Sequence, residues 1–315
     1  MRKILIIKPS SLGDIIHGLQ IAHSLKEQWE GTHLSWVVSD RFAPFVQACP
    51  TVDHVYVFNR KGGMKEFKRL VKELRTETFD AVLDFQGLAR TGLMTMLTMA
   101  KRKIGRCDAR EGAGFCYKEK AALPPAGHEA HALDILFKFL PRLGLSARLA
   151  SPLTFNTPEP ETIAAPLAEA HPVLMIPHSR GPEKEWGGFA ELTKLVLEKH
   201  PDALVVWDSH QTAPDPEVSG NGRFLNLTGK TDLLQMTALV QRARVVVAND
   251  SGPMHLAAAL GKPVVALFGP TPPERFGPYP LDAPHHYILR APAGDLSKLE
   301  PQTVYEAVAK ALHTT

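Results

Sequence analysis

A carboxylate stands where the first predicted strand gives way to the first predicted helix. The segment KPSSLGD, residues 8–14, overlaps the end of the apolar run Ile4–Lys8 and precedes a stretch whose apolar residues have helical spacing. Gly13 permits a tight turn and the close approach of a ligand. Asp14 could take a proton from a hydroxyl group as a general base, or it could only cap the helix, which its position alone favours. The segment contains neither G-x-G-x-x-G nor the G-K-[ST] of a P-loop.

A second polar turn, in the other half of the chain, is suited to binding an anion. The segment VVVANDSGPMH, residues 245–255, runs from an apolar strand into a helix and places Asp250, Ser251, Gly252 and His255 around the helix start. A helix N-terminus stabilises negative charge, so a pyrophosphate fits there. The alternative is a capping turn whose histidine is satisfied locally. The G-x-S-x-G turn of a serine hydrolase is absent.

Basic residues form a third motif and two looser clusters. The segment HSRGPEKEW, residues 178–186, could bind a phosphate through Ser179, Arg180 and Lys184, or it could be a solvated charged loop. The two clusters could face an anionic acceptor or a membrane surface, or they could be solvated helix faces. No nucleic-acid-binding module accompanies them, so we expect no nucleic-acid partner. The clusters are Arg60, Lys61, Lys65, Lys68 and Arg69, and Lys101, Arg102, Lys103, Arg106 and Arg110.

The composition is that of a globular protein with two domains. The chain has 315 residues, of which 44% are hydrophobic and 22% charged, and its formal net charge is +3. Its 3 cysteines are too few and too scattered for a disulfide framework or a zinc site, which favours a reducing cytoplasm. We expect no signal peptide, because the apolar run between Lys3 and Lys8 is far too short. We also expect no spanning helix, because no uninterrupted apolar run reaches ~20 residues.

Strand and helix patterns alternate in both halves of the chain, which predicts two parallel, doubly wound sheets of the α/β class. Prolines concentrate between residues 144 and 166 and indicate a linker. We therefore predict Rossmann-like domains over residues 1–150 and 151–315, facing each other across a cleft, with ligands beyond the carboxyl ends of the strands. Residues 106–131 give no clear pattern. The predicted strands are Ile4–Lys8, Leu34–Val38, His54–Phe58, Phe79–Phe85, Val173–Ile176, Ala203–Trp207, Val245–Ala248 and Val264–Phe268, and the predicted helices are Ile15–Trp29, Met64–Thr76, Ala89–Met99, Phe189–His200, Leu233–Arg242, Met254–Leu260 and Pro301–His313.

Four segments together resemble the lipopolysaccharide heptosyltransferases of glycosyltransferase family 9. They are ILIIKPSSLGDIIHGL, FDAVLDFQGLARTG, HSRGPEKEW and VVANDSGPMHLAAALGKPVVALFGPTPPERFGPY. Their order and spacing agree with that family, and the resemblance is greatest to the enzyme that adds the first heptose. The resemblance implies a glycosyltransferase-B fold with an N-terminal acceptor-binding domain and a C-terminal nucleotide-sugar-binding domain. It also implies an inverting mechanism with no metal and no other cofactor.

The resemblance also implies a role for each motif. Asp14 corresponds to the family's catalytic base, which overturns the preference for a cap alone. The family often has a glycine-rich turn with an acidic residue beside the ribose of the donor; here residues 205–211 stand in its place, and Asp208 could substitute. The implied donor-binding residues are Ser179, Arg180, Lys184, Asp208, Asp250, Ser251, Gly252 and His255, with Ser10, Ser11 and Gly13 in a donor loop, and the implied acceptor-binding residues are Arg60, Lys61, Lys65 and Gln86.

The reaction implied by the resemblance moves heptose from ADP-L-glycero-D-manno-heptose to Kdo of Kdo-lipid A, in the lipopolysaccharide inner core. Such an enzyme would be cytoplasmic and peripheral on the inner membrane. Alternatives within the fold are a second-heptose transferase, a transferase of another nucleotide sugar, or an epimerase that acts without an acceptor. The alternative from another class is a noncatalytic nucleotide-sugar-binding protein, against which the joint presence of Asp14 and the donor residues argues.

Overall fold

The computed structural model describes residues 1–218 and 222–313. The chain forms two compact units, Met1–Asn156 and Thr157–Thr315. The division falls six residues after the predicted boundary between residues 150 and 151, because the last part of the proline-containing segment packs with the first unit: Asn156 N–H donates to the carbonyl of Ala48. The last two residues of the predicted second domain, 314 and 315, lie outside the described residues.

The first unit is a parallel six-stranded sheet with strand order β3-β2-β1-β4-β5-β6. Its central strands are mostly apolar and almost entirely buried, because helices cover both faces of the sheet. The strands are β1 Lys3–Ile7, β2 His33–Ser39, β3 His54–Phe58, β4 Phe79–Asp84, β5 Ala100–Arg106 and β6 Glu119–Ala121, and the helices are α1 Leu12–Gln28, α2 Ala43–Gln47, α3 Gly63–Leu74, α4 Ala89–Leu97, α5 Ala132–Phe137 and α6 Phe139–Arg142.

Helix α3 shows how the sequence builds this core. Phe67, Leu70 and Leu74 recur at helical spacing and are buried against strand residues such as Leu5 and Val82. Each buried side chain of this size contributes about 1.5–3 kcal/mol relative to exposure. The packing of α3 and its neighbour α4 fixes the sheet, and with it the carboxyl ends of the strands.

The structure defines the second basic cluster and the segment 106–131. The alternative that the second cluster is a solvated helix face is wrong, because four of its members lie on strand β5. Arg102 forms an ion pair with Glu119 of β6 at 2.5 Å, and Arg106 pairs with Asp108 at 2.6 Å. The segment 106–131, which gave no pattern, contains β6 and short 3-10 turns. The sequence did not predict β5 and β6 because both contain charged residues. Such residues are tolerated there because β6 is a three-residue edge strand and leaves much of β5 accessible.

The second unit repeats the architecture, with strand order β12-β11-β10-β7-β8-β9, all parallel. Helix α11 packs on this sheet through Val304, Val308 and Ala311. The sequence analysis missed β9 and β12, which are short or only partly buried. The strands are β7 Val173–Ile176, β8 Val205–Trp207, β9 Phe224–Asn226, β10 Val245–Asn249, β11 Val264–Phe268 and β12 His286–Arg290, and the helices are α7 Phe189–Lys199, α8 Leu233–Arg242, α9 Gly252–Ala259, α10 Pro273–Phe276 and α11 Pro301–His313.

The prediction of two parallel, doubly wound α/β sheets is confirmed. In both units the polar motifs follow the carboxyl ends of strands, where ligands bind in sheets of this kind. Over residues 1–218 and 222–313, no helix is both long enough and apolar enough to cross a membrane.

Candidate functional site

Asp14 lies in the first turn of α1, three residues after the N-cap residue Ser11. Asp14 is therefore not the N-cap residue, but it takes part in capping as the N3 residue of a capping box. Its Oδ2 accepts hydrogen bonds from Ser11 N–H at 3.1 Å and from Ser11 Oγ at 2.9 Å, which is the reciprocal half of a capping box. The side chain is still 46% exposed. The carboxylate is thus fixed by the cap, while a large part of it can be reached by another molecule.

A buried lysine stands behind this carboxylate. Lys8 follows β1, its side chain is only 6% exposed, and its Nζ lies 3.4 Å from Asp14 Oδ2. Desolvation would raise the pKa of Asp14, but the charge of Lys8 and the hydrogen bonds from Ser11 outweigh it and lower that pKa below the ordinary value. Asp14 is consequently an ionised carboxylate at neutral pH and able to accept a proton.

Asp84 organises the neighbouring strand end. It closes β4 opposite Ile7 of β1 and is completely buried. Its carboxylate accepts hydrogen bonds from Tyr117 Oη at 2.8 Å and from the backbone N–H groups of Gln86 and Gly87 at 2.9 and 3.0 Å. Burial raises the pKa of Asp84. The bonds hold the turn that carries Gln86, whose buried Oε1 has no hydrogen-bond partner in the part of the chain that the structure describes.

Of the three basic residues predicted to bind the acceptor, Arg60 contacts the turn before Asp14. Arg60 Nη1 donates to Ser10 Oγ at 3.4 Å, across 50 residues of chain. Lys61 and Lys65 are exposed on the same turn and the start of α3. Further along α3, Arg69 pairs with Glu66 and Glu73, each at 2.8 Å, as expected of a solvated helix face. Arg60 is therefore the member of the first cluster that the structure places beside Ser10, whereas Arg69 is paired with acidic residues of its own helix.

In the second unit, Asp250 joins three segments of the chain. Its Oδ2 accepts hydrogen bonds from Lys184 Nζ at 2.7 Å and from Thr271 Oγ1 at 2.8 Å. Its backbone carbonyl accepts a hydrogen bond from Ser179 Oγ at 3.0 Å. The loop after β7, the turn after β10 and the turn after β11 are thus fixed at one point. Lys184, with 29% of its side chain exposed, is held beside α9 but remains accessible to a ligand.

Helix α9 starts immediately after that point. Ser251 is its N-cap, and its buried Oγ makes no hydrogen bond to any described residue. Gly252 begins the helix without a side chain, and His255 lies in the first turn with 9% exposure. A helix start with N–H groups free and a lysine alongside attracts an anion. Arg180 is exposed in the loop after β7.

Asp208 follows β8 and is fully buried. Its Oδ1 accepts a hydrogen bond from Thr231 Oγ1 at 2.5 Å, whereas its Oδ2 has no partner within the described ranges. Burial raises the pKa of Asp208 to about 6. A buried carboxylate oxygen without a partner is costly unless a ligand donates to it, for instance a hydroxyl group.

The sequence analysis did not single out several residues that shape these sites. Asn249 ties the loop after β7 to β10: its Oδ1 accepts from Trp186 N–H at 3.1 Å, and its Nδ2 donates to Pro177 O at 2.9 Å. The sequence analysis also did not predict Lys8, Asp84 and Thr271 as site residues. Their one sequence signal is position, because each follows or ends an apolar strand. Among the described residues, no three His, Cys, Asp or Glu side chains converge on a possible metal position.

Comparison with known proteins adds the family to this geometry. The profile of glycosyltransferase family 9 (heptosyltransferase) matches residues 67–312. The chain belongs to glycosyltransferase family 9.

Individual family 9 proteins align along nearly the whole chain. Lipopolysaccharide core heptosyltransferase OpsX of Haemophilus influenzae is 26% identical and covers 88% of this chain and 82% of its own. Lipopolysaccharide heptosyltransferase 1 of Escherichia coli K12 is 26% identical and covers 98% of this chain and 99% of its own. The solved structure of E. coli heptosyltransferase WaaC with ADP superposes with a TM-score of 0.80 at 24% identity, over 98% of this chain and 99% of that one. This family 9 chain has the glycosyltransferase-B fold, as the sequence predicted.

Proposed function

We propose that this glycosyltransferase moves heptose from ADP-L-glycero-D-manno-heptose to a Kdo hydroxyl of Kdo-lipid A, with inversion at the anomeric carbon. Relatives named lipopolysaccharide heptosyltransferase 1, and a solved WaaC structure with ADP-2-deoxy-2-fluoro heptose, support the choice of donor. The observation that carries the proposal is the ionised, accessible Asp14, anchored by Lys8 and Ser11. A protein that only binds a nucleotide sugar has no use for a fixed base.

The reaction is a single displacement. The acceptor oxygen forms a bond to the anomeric carbon, and the bond from that carbon to the β-phosphate oxygen breaks, so that ADP leaves with the electron pair. The hydroxyl proton passes to Asp14 during the attack. Positive charge spreads over the sugar ring oxygen in the transition state, as in glycoside chemistry generally. One displacement inverts the configuration.

Cations and helix amides stabilise the diphosphate that leaves. Lys184, Arg180, His255 and the start of α9 at Ser251 and Gly252 are the groups of the second unit suited to this role. They supply positive potential, so the proposed mechanism uses no metal ion. The free Oδ2 of Asp208 accepts a ribose hydroxyl. Ser10, Ser11 and Gly13 form a donor loop at the start of α1.

The acceptor is anionic, and its binding falls to the first unit. Arg60 beside Ser10, together with Lys61, Lys65 and Gln86, would bind the carboxylates and phosphates of Kdo-lipid A. Because that acceptor is a lipid, we place the enzyme in the cytoplasm, peripheral on the inner membrane.

The test is a radiolabel transfer assay with ADP-heptose and Kdo-lipid A, run with wild-type protein, with Asp14→Asn and with added EDTA. We expect transfer that survives EDTA and falls by about 10²–10⁴-fold in Asp14→Asn, whose affinity for ADP is unchanged. An acceptor that already carries one heptose is the second arm, and transfer to it alone would make the enzyme a second-heptose transferase. Full activity of Asp14→Asn would exclude Asp14 as the base.

A further inference from the structure

Exposed apolar side chains gather at one edge of the first unit. Among the described residues, the large hydrophobic side chains that are exposed are five in number, and three of them lie between residues 96 and 115. Met96 is 46% exposed, Met99 is 47% exposed and Phe115 is 95% exposed. Such exposure of a phenylalanine on a short, ordered 3-10 turn, Ala113–Cys116, is not explained by packing within the unit.

These three side chains belong to neighbouring elements. Helix α4 packs on the 3-10 turn so closely that a Cβ added at Gly92 would lie 2.9 Å from the Cβ of Ala113. Met96 is one helical turn after Gly92 and therefore on the same side of α4. Phe115 is two residues after Ala113. Met96 and Phe115 thus lie on the side of the sheet on which α4 packs, and Met99 follows the C-cap residue of that helix in the chain.

Lysines surround them on the same side. The ammonium of Lys103 donates to the backbone carbonyl of Met96. Lys118 N–H donates to Lys103 O at 3.1 Å, and Lys120 Nζ lies 3.4 Å from the position that a Cβ of Gly114 would take. Burial, together with the positive charges of Lys118 and Arg75, lowers the pKa of Lys103.

These cations have no acidic partners nearby. None of Lys103, Lys118 and Lys120 forms an ion pair with a carboxylate in residues 1–218 and 222–313. Glu119, the acid between two of the lysines, points to the other face of the strand, where it pairs with Arg102 and Arg142. The name edge patch is used below for Met96, Met99, Phe115, Lys103, Lys118 and Lys120.

We propose that the edge patch docks the protein on an anionic lipid surface, with Phe115 inserted among the headgroups and the lysines against lipid phosphates. A protruding aromatic ring flanked by lysines that lack carboxylate partners in the described residues suits a fluid anionic interface better than a shaped protein partner. Its biological purpose rests on the proposed lipid-linked acceptor, but the docking itself can be measured without transfer. Each lysine near an anionic surface strengthens binding about five-fold, and the effect is screened by salt.

The test is co-sedimentation of the full chain with vesicles of phosphatidylcholine alone or mixed with phosphatidylglycerol. We expect wild-type protein to bind the mixed vesicles, and to bind them less at high salt. Phe115→Ser should weaken binding by about ten-fold, and the pair Lys118→Gln with Lys120→Gln by about 25-fold. Met64→Ser, which alters a 65% exposed methionine outside the edge patch, and the pair Lys194→Gln with Lys199→Gln on α7 should change binding little.

Activity separates this proposal from the proposed function. The edge-patch variants should transfer heptose to a de-acylated, water-soluble acceptor as wild type does, because none of these residues belongs to the proposed donor or acceptor sites. Failure of wild-type protein to bind anionic vesicles, or equal binding by the variants, would overturn the edge patch as a docking surface. Absence of transfer by protein that still binds vesicles would instead count against the proposed reaction.

Discussion

Lys8 and Asp14 form an ion pair whose two members differ in access to solvent. The lysine side chain is 6% exposed and the carboxylate 46% exposed, so water and substrates reach only the carboxylate. A buried ammonium costs free energy unless a charge compensates it, and Asp14 does so. Lys8 therefore acts as a fixed positive charge behind Asp14. This charge makes Asp14 a weaker base but keeps its carboxylate ionised.

Replacing Lys8 by methionine should change the pH dependence of transfer and leave the machinery otherwise intact. Lys8 lowers the pKa of Asp14, so its removal raises that pKa. Activity requires the ionised base and is lost as the pH falls through that pKa. The acidic limb of the pH profile of kcat should therefore move to higher pH in Lys8→Met, while activity above the limb persists.

The matched control is Lys3→Met, which removes the lysine at the other end of β1. Lys3 instead pairs with Glu77 at 2.8 Å, so its removal should leave the surroundings of Asp14 unchanged. We expect no shift of the limb in that variant. An acidic limb of Lys8→Met that coincides with wild type would show that Lys8 does not set the pKa of the catalytic group.

Asp208 is predicted to contribute to the affinity for the donor nucleotide. If its free Oδ2 accepts a ribose hydroxyl, ADP binding favours the ionised carboxylate, and affinity should decline as the pH falls below about 6, the raised pKa of this group. Asp208→Asn should weaken ADP binding by about ten-fold at neutral pH and flatten that decline.

Calorimetric titration of ADP across the pH range measures both effects. The terminal phosphate of ADP also titrates near pH ~6. Because that contribution is common to wild type and Asp208→Asn, the difference between the two curves belongs to Asp208. Parallel curves for the two proteins would exclude the carboxylate from the donor site.

The sequence predicted the site residues that belong to local motifs. It did not predict those that come into contact only when the chain folds. Asp14, Asp250 and Ser251 are recognisable because the local run of strand, polar turn and helix is visible in the sequence. The contact of Lys184 with Asp250 spans 66 residues, and that of Tyr117 with Asp84 spans 33. No local pattern announces such contacts, because they arise from the crossover connections of a parallel sheet.

The predicted bounds of the helices and strands agree best with the structure where those elements are buried. Strands such as Val173–Ile176 and helices such as Leu233–Arg242 have the predicted bounds, since their apolar patterns reflect the buried faces. Strand β5 was missed because four of its seven residues are basic. It owes its strand geometry to pairing with β4 and β6, which is tertiary information.

Gly105 of β5 allows the Tyr117 ring to approach the strand closely, and this position lets the Tyr117 hydroxyl reach Asp84. A Cβ at this position would lie 2.2 Å from the ring of Tyr117, whose hydroxyl donates to Asp84. Gly105→Ala should therefore displace the ring, weaken that hydrogen bond and lower the free energy of unfolding by about 1–3 kcal/mol. Urea denaturation of the full chain measures this change.

Gly187→Ala is the matched control for that prediction. No atom lies within 4 Å of the Cβ it would add, so its stability should stay near that of wild type. Tyr117→Phe, which removes only the hydroxyl, should also destabilise the protein, because it leaves the buried carboxylate of Asp84 short of a donor. Equal stability of Gly105→Ala and Gly187→Ala would mean that the ring can move without cost.

At the scale of the whole molecule, each unit closes its own sheet and its own core. The first core includes Leu5, Phe67 and Val82, and the second includes Val247 and Val308. The predicted linker region, residues 144–166, contains the division between the units. The predicted domain boundary within it lies six residues before that division, since a backbone hydrogen bond at Asn156 leaves no mark in the composition.

This division predicts that residues 157–315 fold on their own and bind ADP. The residues proposed to hold the diphosphate and ribose, Ser179, Lys184, Asp208 and Asp250, all lie in this unit, and so do the contacts that fix them. The isolated unit should unfold cooperatively on heating, as judged by circular dichroism, and bind ADP within about ten-fold of the full chain by calorimetry. Residues 1–156, the matched half, should fold but bind no ADP, and neither half should transfer heptose, because the base Asp14 and the leaving-group residues are then on different molecules. A folded unit 157–315 that does not bind ADP, beside a full chain that does, would mean that the donor loop of Ser10, Ser11 and Gly13 supplies essential contacts to the nucleotide.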